Sequence, residues 1–143
     1  MDEKYYTPDK EDLFIGYECE QYTPANTGID YLGHYYESWD KRKLKNGWEL
    51  LDISERSKIV RTKYLNKEDI ESLGWQWYTN CSSGEEYELF INDNKYSLIQ
   101  VDYSHDIYIY KHNTYGETIL FSGRCKSINE LKKIMLWLNI KNN

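Results

Sequence analysis

The chain has 143 residues, 40% hydrophobic and 29% charged, with a formal net charge of -6. That length suits a single domain with one core, and the mixture is too apolar for a disordered chain and too charged for a membrane-embedded one. The acidic balance argues against nucleic acid as a partner, because phosphate-tracking surfaces depend on Lys and Arg to displace counterions.

The N-terminus, Met1-Asp2-Glu3-Lys4, lacks the apolar run of a signal peptide, and no stretch approaches the ~20 apolar residues of a membrane span. A cytoplasmic location is expected. Cys19, Cys81 and Cys125 are odd in number and widely spaced, which supports neither a disulfide framework nor a zinc knuckle.

In chain order, Leu13 to Tyr22 alternates, with Leu13, Ile15, Tyr17 and Cys19 on one face and Glu18 and Glu20 on the other. This predicts a half-buried strand. Thr23-Pro24 opens a loose stretch reaching about residue 47, interrupted by an aromatic segment from Tyr31 to Trp39. Lys41, Arg42, Lys43 and Lys45 read as a solvated loop within it. WELLDI (48–53) and KIVRTKYL (58–65) flank a polar turn and predict a hairpin. Asn66 with Asp69 predicts an N-cap, Ile70 and Leu73 a short apolar stripe, and Gly74 the end of a brief middle helix.

Five short segments follow: WQWY (75–78), YELFIN (87–92), YSLIQVD (96–102), IYIYK (107–111) and TILFS (118–122). Their tight, polar connections predict an antiparallel meander. Ser127 and Glu130 form a capping box before Ile128, Leu131, Ile134, Met135 and Leu138, which recur at helical spacing. The predicted architecture is a single α+β domain over 1–143, a mostly antiparallel sheet with a short middle helix and a C-terminal amphipathic helix on one face.

Few constellations carry chemistry. In HDIYIYKH (105–112), His105 shares strand parity with Ile107 and Ile109, whereas His112 shares it with Tyr108 and Tyr110. The two imidazoles therefore point apart and do not form a common metal site. Cys81 is the most accessible thiol by position but lacks nucleophile-elbow spacing. Glu85, Glu86, Asp93, Asp102 and Asp106 lie near turns, where carboxylates usually solubilise and make local bonds. Gly28 and Gly33 lack the strand-to-helix context of a phosphate loop. No cofactor or metal is expected.

The composition includes 15 Tyr and 5 Trp against 3 Phe. Amphipathic rings suit recognition surfaces, where the ring packs and the OH or NH stays wet. Trp75 with Trp77, and Tyr108 with Tyr110, are candidate binding pairs. If Ile107 and Ile109 face the terminal helix, the two tyrosines lie on the open face.

The segments YYTPDKEDLFIGYECE, KYLNKEDIESLGW and SINELKKIMLWLNI resemble a group of small accessory proteins of bacteriophages and mobile elements of Bacteroidetes. That resemblance carries no catalytic motif. It implies at most an accessory protein, and such proteins commonly act by binding something in the host. The leading expectation is a non-enzymatic protein that engages a host protein through an aromatic, acidic sheet face. Self-association is compatible with it. A small-molecule binder that sequesters a nucleotide signal is the alternative, and a carboxylate-dependent metalloenzyme is third.

Overall fold

A computed structural model describes residues 4–29, 35–55 and 60–140. The chain forms two compact units, 1–64 and 65–143. Where the composition suggests one core, the buried apolar side chains form two clusters, one within each unit. All strand pairs are antiparallel and helices accompany both sheets, so the fold class is α+β.

The first unit carries a four-stranded sheet in the order β1-β4-β2-β3, where β1 is Tyr5–Tyr6, β2 Glu18–Ile29, β3 Tyr35–Lys43 and β4 Val60–Lys63. Helix α1 spans Gly47–Glu55. Leu13, Tyr17, Cys19, Leu44, Ile53 and Val60 form the core, with Phe14 and Leu50 packed against it. The Tyr17 hydroxyl is buried and satisfied by Thr62 Oγ1 at 2.8 Å.

Several expectations for this unit are corrected. WELLDI is helical, not a strand. Asn46 Oδ1 accepts the Glu49 N–H at 3.0 Å and Asn46 O accepts the Leu50 N–H, so an N-cap overrides the strand propensity of the apolar run. Leu50 and Ile53 then turn inward, while Trp48 and Leu51 are exposed. The predicted hairpin with KIVRTKYL is thereby lost, and its turn lies partly outside the described residues. The first long strand starts at Glu18 rather than Leu13, because residues 10–12 form a 3-10 turn and Gly16 takes φ +98. Ile15 is consequently exposed while Leu13, Tyr17 and Cys19 are buried.

The supposedly loose 23–47 stretch contains the end of β2 and all of β3; His34 and Gly33 lie outside the described residues. Lys41 and Lys43 are strand residues opposite Glu20 and Glu18. Such cross-strand charge pairs stabilise a ladder that apolar alternation alone would not reveal. Arg42 is held by Gln21 and lies 3.6 Å from Asp52 of α1.

The second unit follows the predicted meander. Strands β5 (Gln76–Asn80), β6 (Gly84–Ile91), β7 (Asn94–Val101), β8 (Asp106–Asn113) and β9 (Gly116–Arg124) lie side by side in chain order. Asn92 and Asp93, both at positive φ, make the two-residue β6–β7 turn; short polar side chains tolerate that conformation. Helix α2 (Lys67–Ser72) begins at Asn66, whose side chain accepts the Asp69 N–H at 2.9 Å.

Helix α3 (Ile128–Trp137) begins at Ser127, whose side chain accepts the Glu130 N–H, while the Glu130 carboxylate accepts the Lys126 N–H. Leu131, Ile134 and Met135 pack in one cluster with Trp75, Tyr87, Leu89, Leu98, Ile107 and Ile109. Among the described residues no helix is long and apolar enough to cross a membrane.

Candidate functional site

Strand alternation places Ile107 and Ile109 in the core with α3, so Tyr108 and Tyr110 stand on the opposite face of the sheet. Their ring centroids are 6.3 Å apart and tilted by 34°. Register extends the surface: Ile99 and Ser122 flank Tyr108, Ser97 and Ile119 flank Tyr110, and Glu86 and Glu88 follow on β6. Tyr78, Phe90 and Ile119 are more than half exposed. Lys95 Nζ sits over both the Tyr78 and Phe90 rings and pairs with Glu88 at 2.9 Å. The surface carries two groups of rings, Tyr108 with Tyr110 on β8 and Tyr78 with Phe90 on β5 and β6, with Glu86, Glu88 and Lys95 between them.

A polar chain runs through this face. Ser97 Oγ lies 2.6 Å from His112 Nε2, and His112 Nδ1 lies 3.5 Å from Glu117 Oε1. Serine, imidazole and carboxylate thus stand in the order of an acyl-transfer triad. Two features argue against that chemistry. Ser97 is only 4% exposed, and it sits mid-strand in β7, paired to β6 on one side and β8 on the other. The surrounding amides serve the ladders instead of forming an oxyanion hole. The chain orients the imidazole and satisfies a buried hydroxyl.

Of the four binding candidates, the structure brings Tyr108 and Tyr110 together but separates the tryptophans. Trp75 precedes β5, is buried to 1%, and donates its indole N–H toward Met135 Sδ at 3.4 Å. It belongs to the core, which removes it from any contact surface. Trp77 is 43% exposed, with Lys67 Nζ 5.3 Å from its ring. A bulge between Trp77 and Thr79 leaves Tyr78 as the extra residue, and Lys95 lies over its ring.

The thiols are accounted for by packing and turns. Burial raises the Cys19 and Cys125 pKa values, which disfavours thiolate in both. Cys81 closes a tight turn through backbone bonds to Gly84. No group of three or more His, Cys, Asp or Glu side chains among the described residues is placed to hold a metal ion. Glu85 accepts the Tyr87 hydroxyl at 3.2 Å.

The first unit contains an arrangement that sequence reasoning missed. The Arg61 guanidinium lies 3.8 Å from the Tyr5 ring centre and 4.1 Å from that of Trp39. Its Nε and Nη2 both reach Glu20 Oε1, at 2.8 and 2.7 Å. Tyr22 packs on Trp39 at 5.2 Å. The guanidinium is thereby fixed by two ring faces and a carboxylate. It joins strands far apart in the chain, and no local motif signals it.

Compared with protein-family models, curated proteins and solved structures, the chain gives no match.

Proposed function

We propose that this chain is a non-enzymatic binding protein that engages a protein partner through the meander face opposite α3. The observation that supports the reading most is the Tyr108–Tyr110 pair, aligned with exposed Tyr78, Phe90 and Ile119 on one continuous sheet surface. Rigid rings with polar tips give large contact area at small entropic cost, and such residues dominate interface energetics. Glu86 lies between the two groups of rings and Glu117 beside Ile119, so a partner presenting apolar side chains with basic residues among them fits best.

The two rings are neighbours on one strand, tilted and side by side. This makes a platform suited to a protein surface, and it favours that reading over a slot enclosing a nucleotide. The resemblance to phage and mobile-element accessory proteins suits a host protein as the target.

The test is affinity capture from bacterial host lysate with tagged chain, followed by titration of the recovered protein against wild type and the double variant Tyr108→Ala, Tyr110→Ala. The variant is expected to bind at least ~10-fold more weakly with an unchanged circular dichroism spectrum. Undiminished affinity in a folded double variant overturns the proposal. Recovery of a nucleotide with no protein favours the small-molecule alternative.

A further inference from the structure

Strand β9 is the last of the five and, among the described residues, pairs only with β8, so no described strand lies along its outer edge. It is nine residues long, GETILFSGR, mostly exposed and without Pro; the features that interrupt its edge are Glu117, Arg124 and a bulge. An open edge of this length is a template for another strand.

Its pattern is self-complementary. Glu117 and Arg124 lie near the two ends, seven positions apart, and on a regular strand that odd spacing would put them on opposite faces. The bulge changes this. Ile109 faces Phe121 while Tyr110 faces Ile119, so Leu120 is the extra residue, and Glu117, Ile119, Ser122 and Arg124 all share the face of Tyr108 and Tyr110.

We propose that β9 pairs antiparallel with β9 of a second copy about a two-fold axis between Leu120 and Phe121. In this register Glu117 faces the partner's Arg124, Thr118 faces the partner's Gly123, and Ile119 faces the partner's Ser122. Every one of these pairs keeps both residues on one face. Two identical opposite-charge pairs result, as an isologous interface requires.

The two five-stranded sheets become one continuous sheet. Asp106 of β8 stands opposite Arg124, and His112 of β8 lies 3.5 Å from Glu117, so each charged residue of the seam also has a polar neighbour on its own sheet. The proposal does not rest on the protein-partner reading, although Glu117 and Ile119 lie on the tyrosine face as well.

The register has a specific test by sedimentation velocity over a concentration series. Wild type is expected to be a reversible dimer. Glu117→Arg alone and Arg124→Glu alone each place two like-charge pairs at the seam and weaken the dimer by about tenfold or more. An equimolar mixture of the two single variants restores both opposite-charge pairs, and it is expected to associate as a heterodimer with near wild-type affinity. Ile119→Lys, at an exposed position, abolishes association without charge complementation. A wild type that stays monomeric at every concentration overturns the proposal, as does a dimer whose strength the single variants and their mixture leave unchanged. Circular dichroism and melting curves confirm that each variant is folded.

Discussion

Ser97 Oγ and His112 Nε2 are 2.6 Å apart across β7 and β8, and Glu117 stands beyond the imidazole. The geometry invites a catalytic reading, and the ladder around Ser97 opposes it. A fluorophosphonate is expected to leave Ser97 unlabelled by intact-mass measurement. Ser97→Ala is expected to lower stability by ~1 kcal/mol in urea unfolding, the usual net worth of one hydrogen bond. Stoichiometric labelling at Ser97 would establish a reactive hydroxyl and reopen acyl-transfer chemistry.

Gly84 opens β6 where two backbones meet closely. A Cβ built there would lie 1.9 Å from Gln100 O and 2.9 Å from its carbonyl carbon. Backbone cannot swing aside as a flexible side chain does, so β6 and β7 would have to part locally. Gly84→Ala is expected to cost ~2 kcal/mol or more, seen as a lower urea midpoint. A change smaller than the experimental error would mean that the strand start tolerates a side chain.

The second half of the chain was legible because its turns are short and its strands alternate. Asn92-Asp93 and the link between Asn113 and Gly116 set register by loop length, and the second of these places His112 opposite Glu117. That pairing could have been drawn from the sequence; the contact with Ser97 needed the β7–β8 register as well. The first half resisted because its information is non-local. An N-cap at Asn46 outweighed the apolar run of WELLDI, and charge pairs such as Glu20 with Lys41 carried a ladder where hydrophobic alternation fades. Arg61 illustrates the limit, since Tyr5, Glu20 and Trp39 meet it only after four strands have assembled in the order β1-β4-β2-β3.

Arg61→Lys is expected to be nearly as damaging as Arg61→Ala, by ~1–2 kcal/mol, because an ammonium cannot stack flat against Tyr5 and Trp39 while reaching Glu20 with two nitrogens. Thermal or urea unfolding of both variants measures it. A fully stable lysine variant would show that charge alone, without planar stacking, satisfies the site.

Alkaline pH provides a separate probe. Burial raises the pKa values of Tyr87 and Tyr110, with Glu85 adding to the effect at Tyr87 and Tyr108 at Tyr110. The folded state therefore holds these phenolic protons more tightly than the unfolded chain does. The resulting stabilisation is complete below the ordinary tyrosine value of 10.0 and is lost as pH rises from there through the folded-state values. Ultraviolet titration is expected to show a class of phenols ionising late, and the urea midpoint should fall above that pH. Tyr87→Phe should flatten part of the fall; an unaltered pH profile in that variant would exclude Tyr87 as a source.

Trp75 and Trp77 are two residues apart yet differ in environment, which gives the sharpest contrast between core and surface. Trp75 is enclosed by the cluster that contains Leu131, Ile134 and Met135, and its indole meets Met135 Sδ, whereas Trp77 is 43% exposed beside Lys67. Trp75→Ala removes a fully buried ring and leaves a cavity, so a loss of ~3–5 kcal/mol is expected. Trp77→Ala removes a partly solvated ring and one cation–π contact, worth ~1 kcal/mol or less. Urea unfolding followed by far-ultraviolet circular dichroism reads both losses without depending on the deleted fluorophore. Equal losses at the two positions would mean that Trp77 is also enclosed, and would contradict the bulge that turns Tyr78 toward Lys95.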